Sequence, residues 1–294
     1  EPKQGPVAAN RVVNDKIRYV IGPVCSGAAI AAAPIYNNEG VVVITPSATS
    51  PALTEGKNFH FIFRTIGRDD QQGPAAAKFI INKAKPKKVA VLHDKQSYGQ
   101  GIAASVRDEL KKANVEVALF EGINAGDSDY SAVITKLKSA GADFVYYGGY
   151  HPEMGLLLRQ AAEQGLKVRM MGPEGVGNPE INAIAGNAVE GMLVTLPADP
   201  ASKPENAALV KAFKDKGRDP SGAFQMGAYT ATQVLAQSIK AVGDDAEKVA
   251  DYLHKTTFNM PTGNVAWDAK GDLKAFDFPV YSWHKDGSKS VAEK

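Results

Sequence analysis

Short apolar runs alternate with amphipathic stretches from the start of the chain to Leu196, and this alternation predicts its elements. Tyr19-Val20-Ile21-Gly22, Val41-Val42-Val43-Ile44, Phe61-Ile62-Phe63, Val89-Ala90-Val91-Leu92, Val115 to Phe120, Phe144 to Tyr147, Val168 to Met171 and Gly191 to Leu196 read as strands. The unbroken β-branched run from Val41 to Ile44 suits a strand buried on both faces, as in a parallel sheet. Between the strands, Gln4 to Lys16, Ser26 to Asn37, Asp69 to Ala84, Tyr98 to Lys112, Tyr130 to Ala140, Pro152 to Gln164 and the short Pro179 to Ala185 read as helices. Strand and helix in alternation specify an α/β fold with a parallel sheet. Ala198 to Pro204 is a polar, proline-bearing break, after which the order of elements changes. Helices are expected at Asn206 to Lys216, Gly222 to Val242 and Ala246 to Lys255, followed by strands from Asn264 to Lys294 joined by a turn at Asp268-Ala269-Lys270-Gly271-Asp272.

A chain of 294 residues is long enough for two domains, each with its own core. The formal net charge of +2 is small and its lysines and arginines are scattered, which excludes the basic footprint of a nucleic-acid binder. The densest basic patch, Lys83 to Lys88, falls where a helix hands over to a strand and reads as a solvated loop. No apolar stretch reaches the ~20 residues that a membrane span needs, and Pro34 breaks the Ala-rich segment after Ser26. The chain starts at Glu1 without a signal peptide, as a mature exported chain does once its leader is removed. Cys25 is the single cysteine, so neither an internal disulfide nor a thiolate metal site is expected; a lone cysteine usually serves as a small hydrophobe.

Candidate chemistry gathers just past the strands. Gly22-Pro23 closes the first strand and Ser26-Gly27 opens a helix; after the second strand, Thr45-Pro46-Ser47-Ala48-Thr49-Ser50-Pro51 crowds small hydroxyls and backbone N–H groups into one turn. Turns of this kind, beside a helix start, hold carboxylates or phosphates, although a single such loop is more often ordinary turn chemistry and N-capping; two in succession shift the balance. A free amino acid asks a site for donors to its carboxylate, acceptors for its ammonium and a wall for its side chain. Ser26 and Thr49 offer hydroxyl and N–H to the carboxylate; the Ser47 carbonyl and the Thr49 hydroxyl can accept from the ammonium, with Ala48 between them. Glu174, directly after a strand in Met171-Gly172-Pro173-Glu174-Gly175, offers the matching charge, and Tyr98, Tyr150 and Phe224 offer aromatic rings. Taken singly, Glu174 is more often a solvated loop residue, and Tyr98, Tyr150 and Phe224 are more often core than ligand wall. Their common position at the ends of different strands, or on the helix facing them, makes them a set.

Val24-Cys25-Ser26, Ile44-Thr45-Pro46-Ser47-Ala48-Thr49, His93-Asp94-Lys95-Gln96-Ser97-Tyr98-Gly99 and Tyr146-Tyr147-Gly148-Gly149-Tyr150-His151-Pro152-Glu153-Met154-Gly155 resemble the periplasmic branched-chain amino-acid binding proteins, which serve ABC importers. The resemblance covers essentially the whole chain. It implies a type I periplasmic binding protein fold: two doubly wound parallel-sheet lobes joined by a three-segment hinge, with 1–67 plus 199–277 in lobe one and 68–198 plus 278–294 in lobe two. It also implies that Ser26, Ser47, Ala48, Thr49, Tyr98, Tyr150, Glu174 and Phe224 contact a leucine, isoleucine or valine ligand. The lobes would close on that ligand in the periplasm and the closed form would dock on the importer's membrane permease, with no cofactor, no metal and no nucleic acid, as a monomer when complete. Relatives have a strand, a helix and another strand before the position of Glu1, so the first lobe is expected to lack its N-terminal strands, leaving an unpaired edge at Ile17 to Gly22. In relatives the cysteine at position 25 pairs with one that precedes that position, so a free thiol is expected at Cys25. The same fold with another ligand, such as an amide or a different amino acid, and a sensory ligand-binding subunit are the rival readings.

Catalytic readings fare worse. His151-Pro152-Glu153 has the H-x-E of zinc deaminases, whose P-C-x-x-C is impossible with one cysteine. His93-Asp94 lacks a serine on a G-x-S-x-G turn, Gly175-Val176-Gly177 lacks the third glycine of a dinucleotide loop, and no Walker lysine motif is present. The chain is not expected to be an enzyme.

Overall fold

The computed structural model describes residues 2–292; the outermost ends of the two expected lobes, residues 1, 293 and 294, lie outside the described residues. The chain forms two compact units, Glu1–Arg68 with Pro197–Asp277, and Asp69–Leu196 with Phe278–Lys294. In chain order the first stretch gives α1 (Gln4–Asn14), β1 (Tyr19–Ile21), α2 (Ser26–Asn38), β2 (Val42–Thr45) and β3 (Ile62–Arg64). The second gives α3 (Asp69–Phe79), β4 (Val89–His93), α4 (Ser97–Lys112), β5 (Val117–Gly122), α5 (Ser131–Ala140), β6 (Phe144–Gly148), α6 (His151–Glu163), β7 (Arg169–Gly172), α7 (Ile181–Ala185) and β8 (Met192–Thr195). The third gives α8 (Ala207–Lys214), α9 (Gln225–Val242), α10 (Ala246–Lys255), β9 (Phe258–Met260) and β10 (Gly263–Val265), and the last β11 (Val280–Trp283) and β12 (Lys289–Val291).

The first unit is built on a parallel sheet in the order β1-β2-β3, with Tyr19 opposite Val42 and Val43 opposite Ile62. Its β-branched run behaves as its composition requires. Val42 and Ile44 point into a cluster with Ala231 and Val234 of α9 and Val249 and Leu253 of α10, while Val41 and Val43 point the other way, onto Ala9, Ala29 and Ala33. Small residues let α1 and α2 approach closely: a Cβ on Gly5 would lie 2.4 Å from the Ala28 carbonyl oxygen, so only glycine fits there. As expected from Ser26 to Asn37, α2 is a single helix, and it runs through Pro34 to Asn38. Pro34 is on the exposed side of the helix, where water satisfies the carbonyl that loses its partner. Among the described residues β1 pairs with β2 alone, and Ile17 and Ile21 beside it are exposed.

The second unit carries a sheet in the order β12-β11-β8-β7-β6-β4-β5, parallel from β8 to β5 and antiparallel where β11 lies between β8 and β12. β6 and β4, interior strands between β7 and the edge strand β5, are buried along their whole length, and Val91, Tyr146, Ile102 and Leu110 share one core. The helix expected to run from Asp69 to Ala84 is α-helical only to Phe79 and then widens into a π turn, Ile80–Ala84. Lys85 ends it in the left-handed conformation, at φ 47°, ahead of Pro86, which bars a helical residue before it. One hairpin was missed in the sequence: β9 and β10 pair antiparallel across Pro261 and Thr262. The expected turn at Asp268 to Asp272 is present, closed by a bridge between Trp267 and Leu273 and by a bond from the Asp268 N–H to the Asp272 carbonyl, 2.9 Å.

Candidate functional site

In the first unit two strand ends are stitched together. Thr45 closes β2, and its hydroxyl donates to the Pro23 carbonyl, 2.7 Å, while accepting from the Ala48 N–H, 3.0 Å. The Ser47 hydroxyl donates to the Val24 carbonyl, 2.6 Å, and the Ser50 N–H donates to the Ser26 hydroxyl, 3.2 Å. The turn from Ser47 to Ser50 is thereby fixed against the first residue of α2. Ser26 accepts from Ser50 and keeps its own proton to donate, next to the N–H groups of the first helical turn, which the helix itself leaves without partners. Ser47 spends its hydroxyl inside the loop, so its carbonyl is the group it can offer a ligand, as the sequence reading requires. Phe224 stands at the start of α9; one turn later Gly227 passes close to the Pro46 carbonyl and accepts a hydrogen bond at its own carbonyl from the Thr65 hydroxyl, 3.0 Å. The structure therefore gathers Ser26, Ser47, Ala48 and Thr49, and sets the helix start that carries Phe224 beside their loop.

Behind this loop lies a buried ionic core. Arg64, the last residue of β3, is fully buried; its guanidinium donates to the carbonyls of Ala48, 2.8 Å, and Ser50, 3.2 Å, and to the Asp272 carboxylate, 2.7 Å. Asp272 also accepts from Thr54, 2.9 Å, and from Arg68, 2.6 Å, and the Arg64 carbonyl accepts from the Trp267 indole, 2.7 Å. The cation thus holds the carbonyls of Ala48 and Ser50 from below, while the N–H groups of the same two residues are taken by the Thr45 and Ser26 hydroxyls. Neither Arg64 nor Asp272 was singled out in the sequence. A signal was present: Arg64 is a cation closing an otherwise apolar run, and such a residue is buried only with partners.

In the second unit Tyr98 lies in the first turn of α4 after β4, Tyr150 precedes α6 after β6, and Glu174 follows β7. All three meet at the carboxyl end of the parallel strands. The rings of Tyr98 and Tyr150 are 5.1 Å apart between centroids, and the Tyr98 hydroxyl accepts from the Gly175 N–H, 3.1 Å. A Cβ on Gly175 would lie 2.9 Å from that hydroxyl, so glycine is what lets the turn sit against the ring. Gln72 of α3 orients Glu174: its amide donates to the carboxylate, 2.5 Å, and its carbonyl accepts from the Glu174 N–H, 3.3 Å, and from the Thr195 hydroxyl at the end of β8, 2.9 Å. Burial, with the carboxylates of Glu174 and Asp69 nearby, pushes the phenols of Tyr98 and Tyr146 well above their usual range and keeps them neutral. Gln72 and Thr195 escaped the sequence reading because nothing local marks them.

The other pairs considered in the sequence are local or peripheral. His93 Nδ1 accepts from the Lys95 N–H, 3.1 Å, and burial lowers the affinity of its ring for a proton. Asp94, 2% exposed, is raised to about 6 by burial, with Glu153 adding to the effect and the Gln96 N–H opposing it. His151 faces Glu180 at 3.2 Å on the surface. Cys25 is an exposed free thiol at the N-cap of α2, not a buried hydrophobe. It stands where the chain leaves the sheet to enter the helix. No helix among the described residues is long and apolar enough to cross a membrane.

A model of the periplasmic binding protein family matches residues 1–288. The chain is 56% identical over 291 residues to the leucine-, isoleucine-, valine-, threonine-, and alanine-binding protein of Pseudomonas aeruginosa, a match covering 99% of this chain and 78% of that one. It is 48% identical over 293 residues to the Leu/Ile/Val-binding protein of Escherichia coli K12, covering 100% and 79%. Of solved structures, a leucine binding protein, LivK, from Thermotoga maritima matches with a TM-score of 0.91 at 31% identity, covering 100% of this chain and 84% of that one. LivJ from Streptococcus pneumoniae, solved with isoleucine, matches with a TM-score of 0.87 at 27% identity, covering 99% and 84%.

Proposed function

The chain belongs to the periplasmic binding protein family, and from that premise we propose that it binds leucine, isoleucine or valine in the periplasm and delivers it to the membrane permease of an ABC importer. One observation carries this reading: Arg64 and Thr45 fix the loop after β2, with Ala48 in it, beside the first turn of α2, so that the hydroxyls of Ser26 and Thr49 and the first-turn N–H groups of α2 suit an α-carboxylate. The Ser47 carbonyl and the Thr49 hydroxyl accept from the α-ammonium, and Glu174, oriented by Gln72, supplies its counter-charge. Tyr98, Tyr150 and Phe224 form the wall for the side chain. Nothing in this set transfers a proton or a group. The ligand is captured and released unchanged, by a protein that works as a monomer.

Selectivity should follow buried carbon. Leucine carries three more side-chain carbons than alanine, worth about 0.8 kcal/mol each when buried, or roughly fiftyfold in affinity. Titration calorimetry with the two amino acids tests this; equal affinities overturn the branched-chain assignment and favour a ligand recognised by its backbone groups alone.

A further inference from the structure

At the opposite end of the first unit's sheet, where β3 begins, His60 faces two carboxylates of α10. Its Nε2 lies 3.3 Å from Glu247 Oε1 and 3.4 Å from Asp251 Oδ1, and the three donor atoms all fall within 4.8 Å of one another. Glu247 and Asp251 are one helical turn apart and so share a face of α10. The Nε2 atom is buried and makes no hydrogen bond, although two acceptors stand beside it. Both separations exceed the ~2.7–2.9 Å of a charge-assisted hydrogen bond, and one ring proton cannot serve two carboxylates. They do equal the spacing of neighbouring ligands on a small cation: two donors each ~2.1 Å from a tetrahedral zinc ion stand roughly 3.4 Å apart.

The imidazole is also held in place. The His254 ring stacks on it with centroids 5.1 Å apart, the Phe61 ring meets it edge-on at 4.9 Å, and His254 Nε2 bonds to the His60 carbonyl, 3.0 Å. An open hollow lined by His60, Asp251, His254 and Trp267 adjoins the cluster and leaves room for a water ligand. We propose that His60, Glu247 and Asp251 form a binding site for a divalent transition metal of the zinc class, one that clamps α10 to the start of β3. A nitrogen ligand beside two carboxylates favours zinc, nickel or copper over magnesium and calcium, which prefer oxygen alone. The site is independent of the amino-acid reading, because it lies at the amino ends of strands whose carboxyl ends carry Ser47 and Thr49.

The test is a calorimetric titration of the purified chain with zinc chloride in a non-coordinating buffer, repeated on His60→Asn and Glu247→Gln. Glu247 is a surface residue, so its variant folds, and melting without metal verifies both. The expected result is one equivalent of zinc bound by the parent chain, at least about tenfold weaker binding in each variant, and magnesium chloride at least about tenfold weaker than zinc. Absence of saturable binding overturns the proposal. So does unchanged affinity in either variant, which would move the metal to a surface pair such as His284 with Glu190, and so does magnesium binding as tightly as zinc, since the imidazole would then not be a ligand.

Discussion

In the first unit the buried charges meet each other. Arg64 and Asp272 pair in its interior, and what reaches the strand ends is a set of dipoles: hydroxyls, carbonyls and N–H groups fixed by that pair. In the second unit the charge itself stands at the strand ends. Glu174 and Asp69 lie among the phenols of Tyr98 and Tyr146, and a neutral amide, Gln72, sets the orientation of Glu174. Under the proposed function the difference separates two jobs. A carboxylate ligand is recognised best by preorganised dipoles that cost nothing to rearrange, whereas an ammonium is recognised by a formal opposite charge. Stability in the first unit should therefore hang on its ion pair, and affinity on the carboxylate of the second.

The largest expected effect breaks the first half of this contrast. Arg64→Met leaves Asp272 buried with only Arg68 to balance it and releases the carbonyls of Ala48 and Ser50; losing one member of a buried pair costs on the order of 3–5 kcal/mol. Hydrogen exchange should show amides of β2 and β3 losing protection while those of β4 and β6 keep theirs. A uniform loss, or a change below about 1 kcal/mol in denaturant unfolding, would mean the pair is not what holds the loop. A comparable figure applies to binding in the second unit. Glu174→Gln keeps an acceptor for Gln72 but removes the charge, and leucine affinity should fall by on the order of 3 kcal/mol, more than a hundredfold, at an unchanged melting temperature. A loss below tenfold removes Glu174 from the site.

The smallest effect sharpens the contrast by pH. Asp94, at the end of β4, has its carboxyl raised to about 6, and the groups facing it are Glu153 and the neutral phenol of Tyr147. Between the ordinary carboxylate range and about 6 the folded chain holds a proton that the unfolded chain has released. Stability therefore falls as pH rises through that window, and the deficit persists above it. Asp94→Asn keeps the acceptor for the Gln96 N–H and abolishes the titration, so it should be more stable than the parent above pH 7 by on the order of 2 kcal/mol and indistinguishable from it near pH 4. Parallel stability curves for the two proteins would show that Asp94 is solvated.

What the sequence disclosed and what it withheld divide along the same physical line. Strands and helices were legible because burial writes itself locally: Val41 to Ile44 faces two cores, and the pattern says so. The strand-end residues were legible as a set because they follow strands directly. Arg64 and Asp272 are 208 positions apart, and Gln72 and Thr195 are 123 apart, so the contacts that give each its role exist only after folding.

The placement of β11 bears on how the molecule is made. β8 needs β11 on one side, yet β11 follows the entire stretch Pro197–Asp277, which belongs to the other unit. A ribosome that has released Thr195 has therefore exported a strand whose partner is not yet synthesised, and its N–H and C=O groups remain open to any strand nearby. Translation arrested, or a product cleaved, anywhere between the two units' second and third crossings leaves that edge bare, and such a nascent chain is a natural client for a holding chaperone until residues 280–283 arrive.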